Sequence, residues 1–214
     1  MLASWLRMAT GSISSLSFPD YDDANGSTVS FPADVQAGDL LIGATNTDLD
    51  TTFRGASGFT SAKFFSNSGS SALCYKIADG TETGSIGGFT NVSTPFVEAV
   101  VVLRFNKAIT GVSVGDTDGA RYPGAVTGVA LAGAASDDTK ARLAIMLFAS
   151  SGTFANADIS FTGSGFTPAT YGSTSNLKTR IKLWPAGVAG ENLTAGMDDM
   201  GTDNAVWGAI LELT

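Results

Sequence analysis

The order strand, Gly-Phe-Thr, strand, turn, strand is written twice in this chain, and no other feature limits the fold as much. Gly58-Phe-Thr60 leads to the strand-like run Ala72-Leu-Cys-Tyr-Lys-Ile77 and then the turn Ala78-Asp-Gly80. Gly165-Phe-Thr167 leads to Lys178-Thr-Arg-Ile-Lys-Leu183 and the turn Pro185-Ala-Gly187. Each copy then reaches an apolar strand, Val97-Glu-Ala-Val-Val-Val-Leu-Arg-Phe105 or Val206-Trp-Gly-Ala-Ile-Leu-Glu-Leu213. Phe59 precedes Leu103 by 44 residues and Phe166 precedes Leu211 by 45. Upstream, Gly38-Asp-Leu-Leu-Ile42 matches Ala141-Arg-Leu-Ala-Ile-Met-Leu147. A further Gly88-Phe-Thr90 shows that the tripeptide alone says little; the spacing carries the argument. The pattern reads as an internal duplication of roughly 100 residues. Two copies are too few for a solenoid.

The expected fold class is all-β: an antiparallel β-sandwich, jelly-roll-like, built from two duplicated halves. Val100-Val-Val-Leu103 and Leu143-Ala-Ile-Met-Leu-Phe148 are unbroken apolar runs of strand length, as in strands covered on both faces. Val29-Ser-Phe31 and Ile159-Ser-Phe161 alternate, as in half-exposed strands. Residues 1–27 read as an N-terminal segment, 28–115 as the first half and 125–214 as the second. Gly115-Asp-Thr-Asp-Gly-Ala-Arg-Tyr-Pro-Gly124 reads as a turn-rich connection. With no Pro-rich or charged linker there, one interlocked sandwich is favoured over two tandem β-domains.

Composition agrees. Of 214 residues, 26 are glycine and only 15% are charged, against 43% apolar, which suits strands and turns around a core. The net charge is −8 and the 12 Lys and Arg are scattered, so a nucleic-acid surface is not expected. The single cysteine, Cys74, rules out an intrachain disulfide and reads as a buried strand residue. The opening MLASWLRMATG has one Arg and no sustained apolar run, so neither a secretion signal nor a membrane span is expected. Folding in a reducing host cytoplasm follows from that reading.

The chain has no histidine, which removes Ser-His-Asp and Cys-His nucleophile systems and leaves little for zinc. No phosphate-binding loop is present. A glycosidase-type pair would draw on Glu82, Glu98, Glu191 and Glu212. Glu82 and Glu191 fall in turns. Glu98 and Glu212 fall on the final strands, where Arg104 and Glu212 occupy matched places with opposite charge. Solvated strand-edge charges are the expected role, with a salt bridge between subunits as the alternative. Asp20-Tyr-Asp-Asp-Ala-Asn-Gly26 begins like a calcium loop but has Asn25 where Gly is needed and Phe31 where the bidentate Glu should stand. Asp116, Asp118, Asp198 and Asp199 could offer oxygens to an ion, yet Asx turns account for them equally. The expectation is therefore no catalytic residue, no cofactor and no metal. Tyr122, Tyr171 and Trp184 adjoin Pro or Gly and are the candidates for stacking on a surface glycan; Trp184, held extended before Pro185, otherwise caps the core end of the sandwich. Leu2, Trp5, Leu6 and Met8 share a helical spacing. They either tuck into the chain's own core or dock on a neighbouring subunit.

Phe31-Pro-Ala-Asp-Val-Gln-Ala-Gly-Asp-Leu-Leu-Ile42, Gly58-Phe-Thr60 and Tyr75-Lys-Ile-Ala-Asp-Gly-Thr-Glu82 together resemble a group of small β-rich structural proteins of tailed bacteriophages and prophages. The resemblance runs through both copies, over residues 28–213. It implies a non-enzymatic virion component: a capsid decoration (cement) protein on the head, or a tail or fibre appendage. It implies the major capsid protein and other virion subunits as partners and a symmetric homo-oligomer, a trimer before other sizes. It names no functional residue. A carbohydrate-binding adhesin is the alternative from another class.

Overall fold

The computed structural model describes residues 12–18, 20–24, 29–47, 58–66, 70–86, 95–171, 176–200 and 204–214. Within them the chain is all-β. The first half holds β1 (Leu16–Ser17), β2 (Tyr21–Ala24), β3 (Val29–Ser30), β4 (Leu40–Thr47), β5 (Thr60–Ser66), β6 (Ser70–Ile77), β7 (Ser85–Ile86) and β8 (Pro95–Phe105). The second half holds β9 (Val112–Tyr122), β10 (Val126–Ala132), β11 (Ala141–Ala149), β12 (Ile159–Thr162), β13 (Thr167–Tyr171), β14 (Leu177–Trp184), β15 (Asn192–Met197) and β16 (Asn204–Leu213). All pairings are antiparallel.

The pairing order is the same in both halves. The first large sheet runs β5-β6-β4-β8, with β1 and β2 both on the far side of β8. The second runs β13-β14-β11-β16-β9. Beside them lie small sheets, β3-β7 and β10-β15-β12. The registers agree as well: Leu40 faces Ile77 and Leu103, while Leu143 faces Leu183 and Leu211. In a jelly roll the fifth strand of the half would join the small sheet beside the fourth. Here β13 pairs β14 in the large sheet instead.

The unbroken apolar runs are explained by which core each face enters. Leu40, Ile42, Val101, Leu103 and Phe105 share one core with Leu143, Ile145, Leu147, Trp207, Leu211 and Leu213. The intervening residues point the other way, Leu41, Val100 and Val102 toward Val29 and Ile86, and Ala144, Met146 and Phe148 toward Val129, Leu193 and Met197. Period-two alternation is present, but both faces are greasy, so the sequence shows no polar partner. The result is four layers: small sheet, large sheet, large sheet, small sheet. Each half keeps its own small core, and the largest core lies between the halves. Trp207 ties them further, its Nε1 donating to the Ala72 carbonyl at 3.1 Å.

One stretch departs from expectation. Residues 115–124 are not a turn-rich connection between halves. Val112–Tyr122 is a strand, β9, paired along β16 from Val112 opposite Leu213 to Tyr122 opposite Asn204. The actual connection is the short segment after Phe105, where Ile109 donates to the Gly38 carbonyl at 3.0 Å. Gly38 has φ +83°, and a side chain there would run into Ala108. Only glycine fits both the left-handed turn and the close approach.

Candidate functional site

Each glutamate whose side chain is described is paired with a lysine. Glu82 lies 2.9 Å from Lys76, Glu191 2.6 Å from Lys182 and Glu212 2.6 Å from Lys140. The first two pairs are counterparts, since Lys76 faces Leu41 and Lys182 faces Ala144 at matched positions of the central strands. Burial alone would raise the Glu82 carboxyl, but hydrogen bonds from Lys76 and from the amides of Asp79 and Gly80 hold it below its usual range. The Lys182 ammonium pulls Glu191 down, and the Lys140 ammonium pulls Glu212 down. A general acid needs the opposite shift. Glu98 falls on β8 at a position whose side chain lies outside the described residues.

Arg104 is not the solvated edge charge expected from the sequence. Its guanidinium closes on Asp39, itself fully buried, and also reaches Asp34. Glu212, its matched residue, accepts from Ser113 at 3.0 Å as well as from Lys140. The opposite charges at these two matched positions are thus each paired within their own half.

The aspartates weighed as ion ligands also have a structural task. Asp116 accepts from the amides of Thr117 at 2.9 Å and Ala132 at 2.6 Å. Asp118 accepts from Gly119 and Ala130, both at 2.8 Å. Each carboxylate therefore spans from β9 to β10 and satisfies an edge amide on both strands. The side of the second sandwich is closed by carboxylates where backbone pairing stops. Asp20 does related work in the first half, accepting from the amides of Ala33 at 2.9 Å and Asp34 at 3.3 Å. Tyr21 faces Val101 as Thr117 faces Ala209, which sets Asp20 and Asp116 at equivalent places. The sequence carried this signal: Asp20-Tyr-Asp-Asp-Ala24 and Asp116-Thr-Asp-Gly-Ala120 share the form Asp-x-Asp-x-Ala. Among the described residues no group of three or more His, Cys, Asp or Glu is placed to hold a metal ion.

The three aromatic candidates separate. Tyr122 is 48% exposed at the end of β9. Tyr171 ends β13, and its side chain lies outside the described residues. Trp184 is corrected: it is 2% exposed, packed edge-to-face with Phe166 and covered by Arg142, so no sugar can reach its ring. Its neighbour Pro185 begins a turn, but the indole points back into the core of the second sandwich. Leu2, Trp5, Leu6 and Met8 lie outside the described residues.

What remains at the surface is shallow. The outer face of the small second sheet carries an open groove of about 240 Å³ over Thr127, Gly128, Ser160, Thr162 and Thr194. A second groove of about 180 Å³ lies at the seam between the halves, against Ile13, Lys107, Lys140 and Leu213.

No protein-family model matches this chain, and neither a curated protein nor a solved structure does.

Proposed function

We propose that the chain is a non-enzymatic structural protein that works through its outer surface, as a decoration protein on the head of a tailed-phage virion. One observation carries the non-enzymatic reading: each glutamate whose side chain is described is locked to a lysine with its carboxyl held below the usual range. The resemblance of residues 28–213 to phage structural proteins supplies the particle. The four-layer body suits a load-bearing knob, because its central strands are covered on both faces and its largest core joins the two halves. A duplication of one β-unit accounts for the matched strand order.

A protein that binds an assembled shell but not its separate subunits stabilises the shell by linkage. Purified heads with and without the protein are therefore compared by heating. Release of the packaged genome at a higher temperature with the protein bound is the expected result, and equal release temperatures overturn the reading. The virion as location, a homo-oligomer with a trimer first, and the major capsid protein as partner all belong to this proposal.

The exposed ring of Tyr122 favours the second reading, a carbohydrate-binding appendage of the tail or surface. A glycan array on the wild type and Tyr122→Ala separates the two. Binding that disappears in the variant supports the adhesin.

A further inference from the structure

The boundary between the two halves has the form of a contact between two copies of one subunit. Leu40 and Leu143 stand at matched positions and enter the same core, and so do Leu103 and Leu211. Leu16 faces Phe105 as Val112 faces Leu213, which also matches Ile13 with Ile109, each buried in that core three residues earlier. The contacts between strands are reciprocal as well. β5 of the first half lies against β9 of the second, while β13, the counterpart of β5, lies against β2, the counterpart of β9. A patch that meets its own counterpart in this way is the mark of a two-fold, isologous interface.

The backbone contributes little to holding this boundary. Among the described residues every strand pairing lies within one half, so the halves meet through side chains and a few hydrogen bonds such as that from Trp207 to Ala72. Residues 106–111 connect them. Asn106 belongs with the first half: its amide donates to the Ser15 carbonyl at 3.3 Å, and its Oδ1 accepts from the amides of Ser14 at 2.9 Å and Ser15 at 3.1 Å. Ile109 belongs with the second, and it crosses the boundary to donate to the Gly38 carbonyl at 3.0 Å. Only Lys107 and Ala108, both half-buried, separate these two anchors. Turning that pair outward leaves every contact of the boundary available to a half from another molecule.

We propose that this boundary is an exchangeable subunit interface whose partner is a second copy of this chain. The first half of one molecule takes the second half of another, and the remaining two halves pair in the same way. The exchanged dimer keeps the shared core twice over and changes the backbone only around Lys107 and Ala108. Closure within one molecule wins in dilute solution, because the connection holds each half before the other at an effective concentration on the order of 1 mM. The exchange is a property of the chain itself and is independent of where the protein works.

The test is refolding of the full chain from urea at about 1 mM and at roughly a hundredfold lower concentration, with the mass read by light scattering. Dimer at the higher concentration and monomer at the lower is the expected result. To identify exchange, a 15N-labelled chain is refolded together with a chain carrying 13C in its alanine methyl groups. An exchanged dimer gives a nuclear Overhauser effect between the Trp207 indole N–H of one copy and the Ala72 methyl of the other, because the indole donates to the Ala72 carbonyl. Deletion of Lys107 shortens the span between the anchors, and it should lower the concentration at which half of the chain is dimeric by about tenfold. A wild type that stays monomeric at both concentrations overturns the proposal. So does a dimer in which the indole–alanine contact remains within one chain, or a deletion variant with an unchanged dimerisation midpoint.

Discussion

Arg104 holds Asp39 through two parallel hydrogen bonds, Nε to Oδ1 at 3.1 Å and Nη2 to Oδ2 at 2.8 Å. Asp39 is fully buried, and its Oδ2 also accepts from the Gln36 amide at 2.8 Å. Removing the guanidinium leaves a buried carboxylate without its cation. Arg104→Met should therefore cost about 3–5 kcal/mol of stability. The double variant Asp39→Asn with Arg104→Met should recover much of that loss, because no uncompensated charge remains. Urea unfolding of the four proteins in a double-mutant cycle measures both.

Asp116 makes a different prediction, because its two oxygens serve two strands. Asp116→Ala orphans the Thr117 and Ala132 amides at the seam of β9 and β10. Charged hydrogen bonds of this kind are worth about 1.5–3 kcal/mol each where buried, and this seam is partly exposed, so a total loss of about 2 kcal/mol is expected. Asp116→Asn keeps one acceptor and should lose about half as much. Hydrogen exchange supplies the local readout: the Thr117 and Ala132 amides should lose protection before those of β11.

These two cases also show how much of the structure the residues disclosed in advance. Val100–Leu103 and Leu143–Phe148 were legible as doubly covered strands because a continuous apolar run of that length has few other homes. The match of Gly38–Ile42 with Ala141–Leu147 was legible from their apolar runs, although Leu40 lies 19 residues before Phe59 and Leu143 lies 23 before Phe166. β9 was not legible, because Asp-Thr-Asp-Gly is turn chemistry until a neighbouring strand presents amides for the carboxylates to cap. Arg104 and Asp39 lie far apart in sequence and meet only because β4 pairs β8. The four-layer stack was hidden for the reason that made the strands obvious: when both faces are apolar, alternation cannot say which face meets which core. Trp184 misled through its neighbour, since a residue held extended before proline can point either way.

The depressed glutamates set a pH dependence. A carboxyl whose folded value lies below its unfolded one contributes stability that is complete above the unfolded value, about 4.3 for Glu, and is lost as pH falls through the folded value. Glu82, Glu191 and Glu212 all shift in that direction. The thermal midpoint should stay level from neutral pH to about 5 and then fall as the solution is acidified below the ordinary glutamate range. Glu82→Gln, whose side chain is 1% exposed, should lower the neutral-pH midpoint and flatten the acid limb. Melting curves between pH 2.5 and 7 decide it; an acid limb of unchanged slope in Glu82→Gln would remove that residue from the account.

Trp207 tests whether the halves are one cooperative unit. It is fully buried in the core that both large sheets share, and its indole donates across the boundary to Ala72. Trp207→Ala removes the packing of a large ring and strands the carbonyl, a loss of about 3–5 kcal/mol. If each half were held by its own small core alone, the damage would stay in the second half and unfolding would split into two steps. Because the largest core belongs to both, the variant should keep a single transition at lower denaturant, with far-ultraviolet circular dichroism and the fluorescence of the remaining tryptophans, Trp5 and Trp184, changing together. The same denaturation followed by hydrogen exchange should show β4 and β11 amides opening with one free energy. Separate transitions for the two probes would show that the shared layer is a contact between two domains rather than the centre of one.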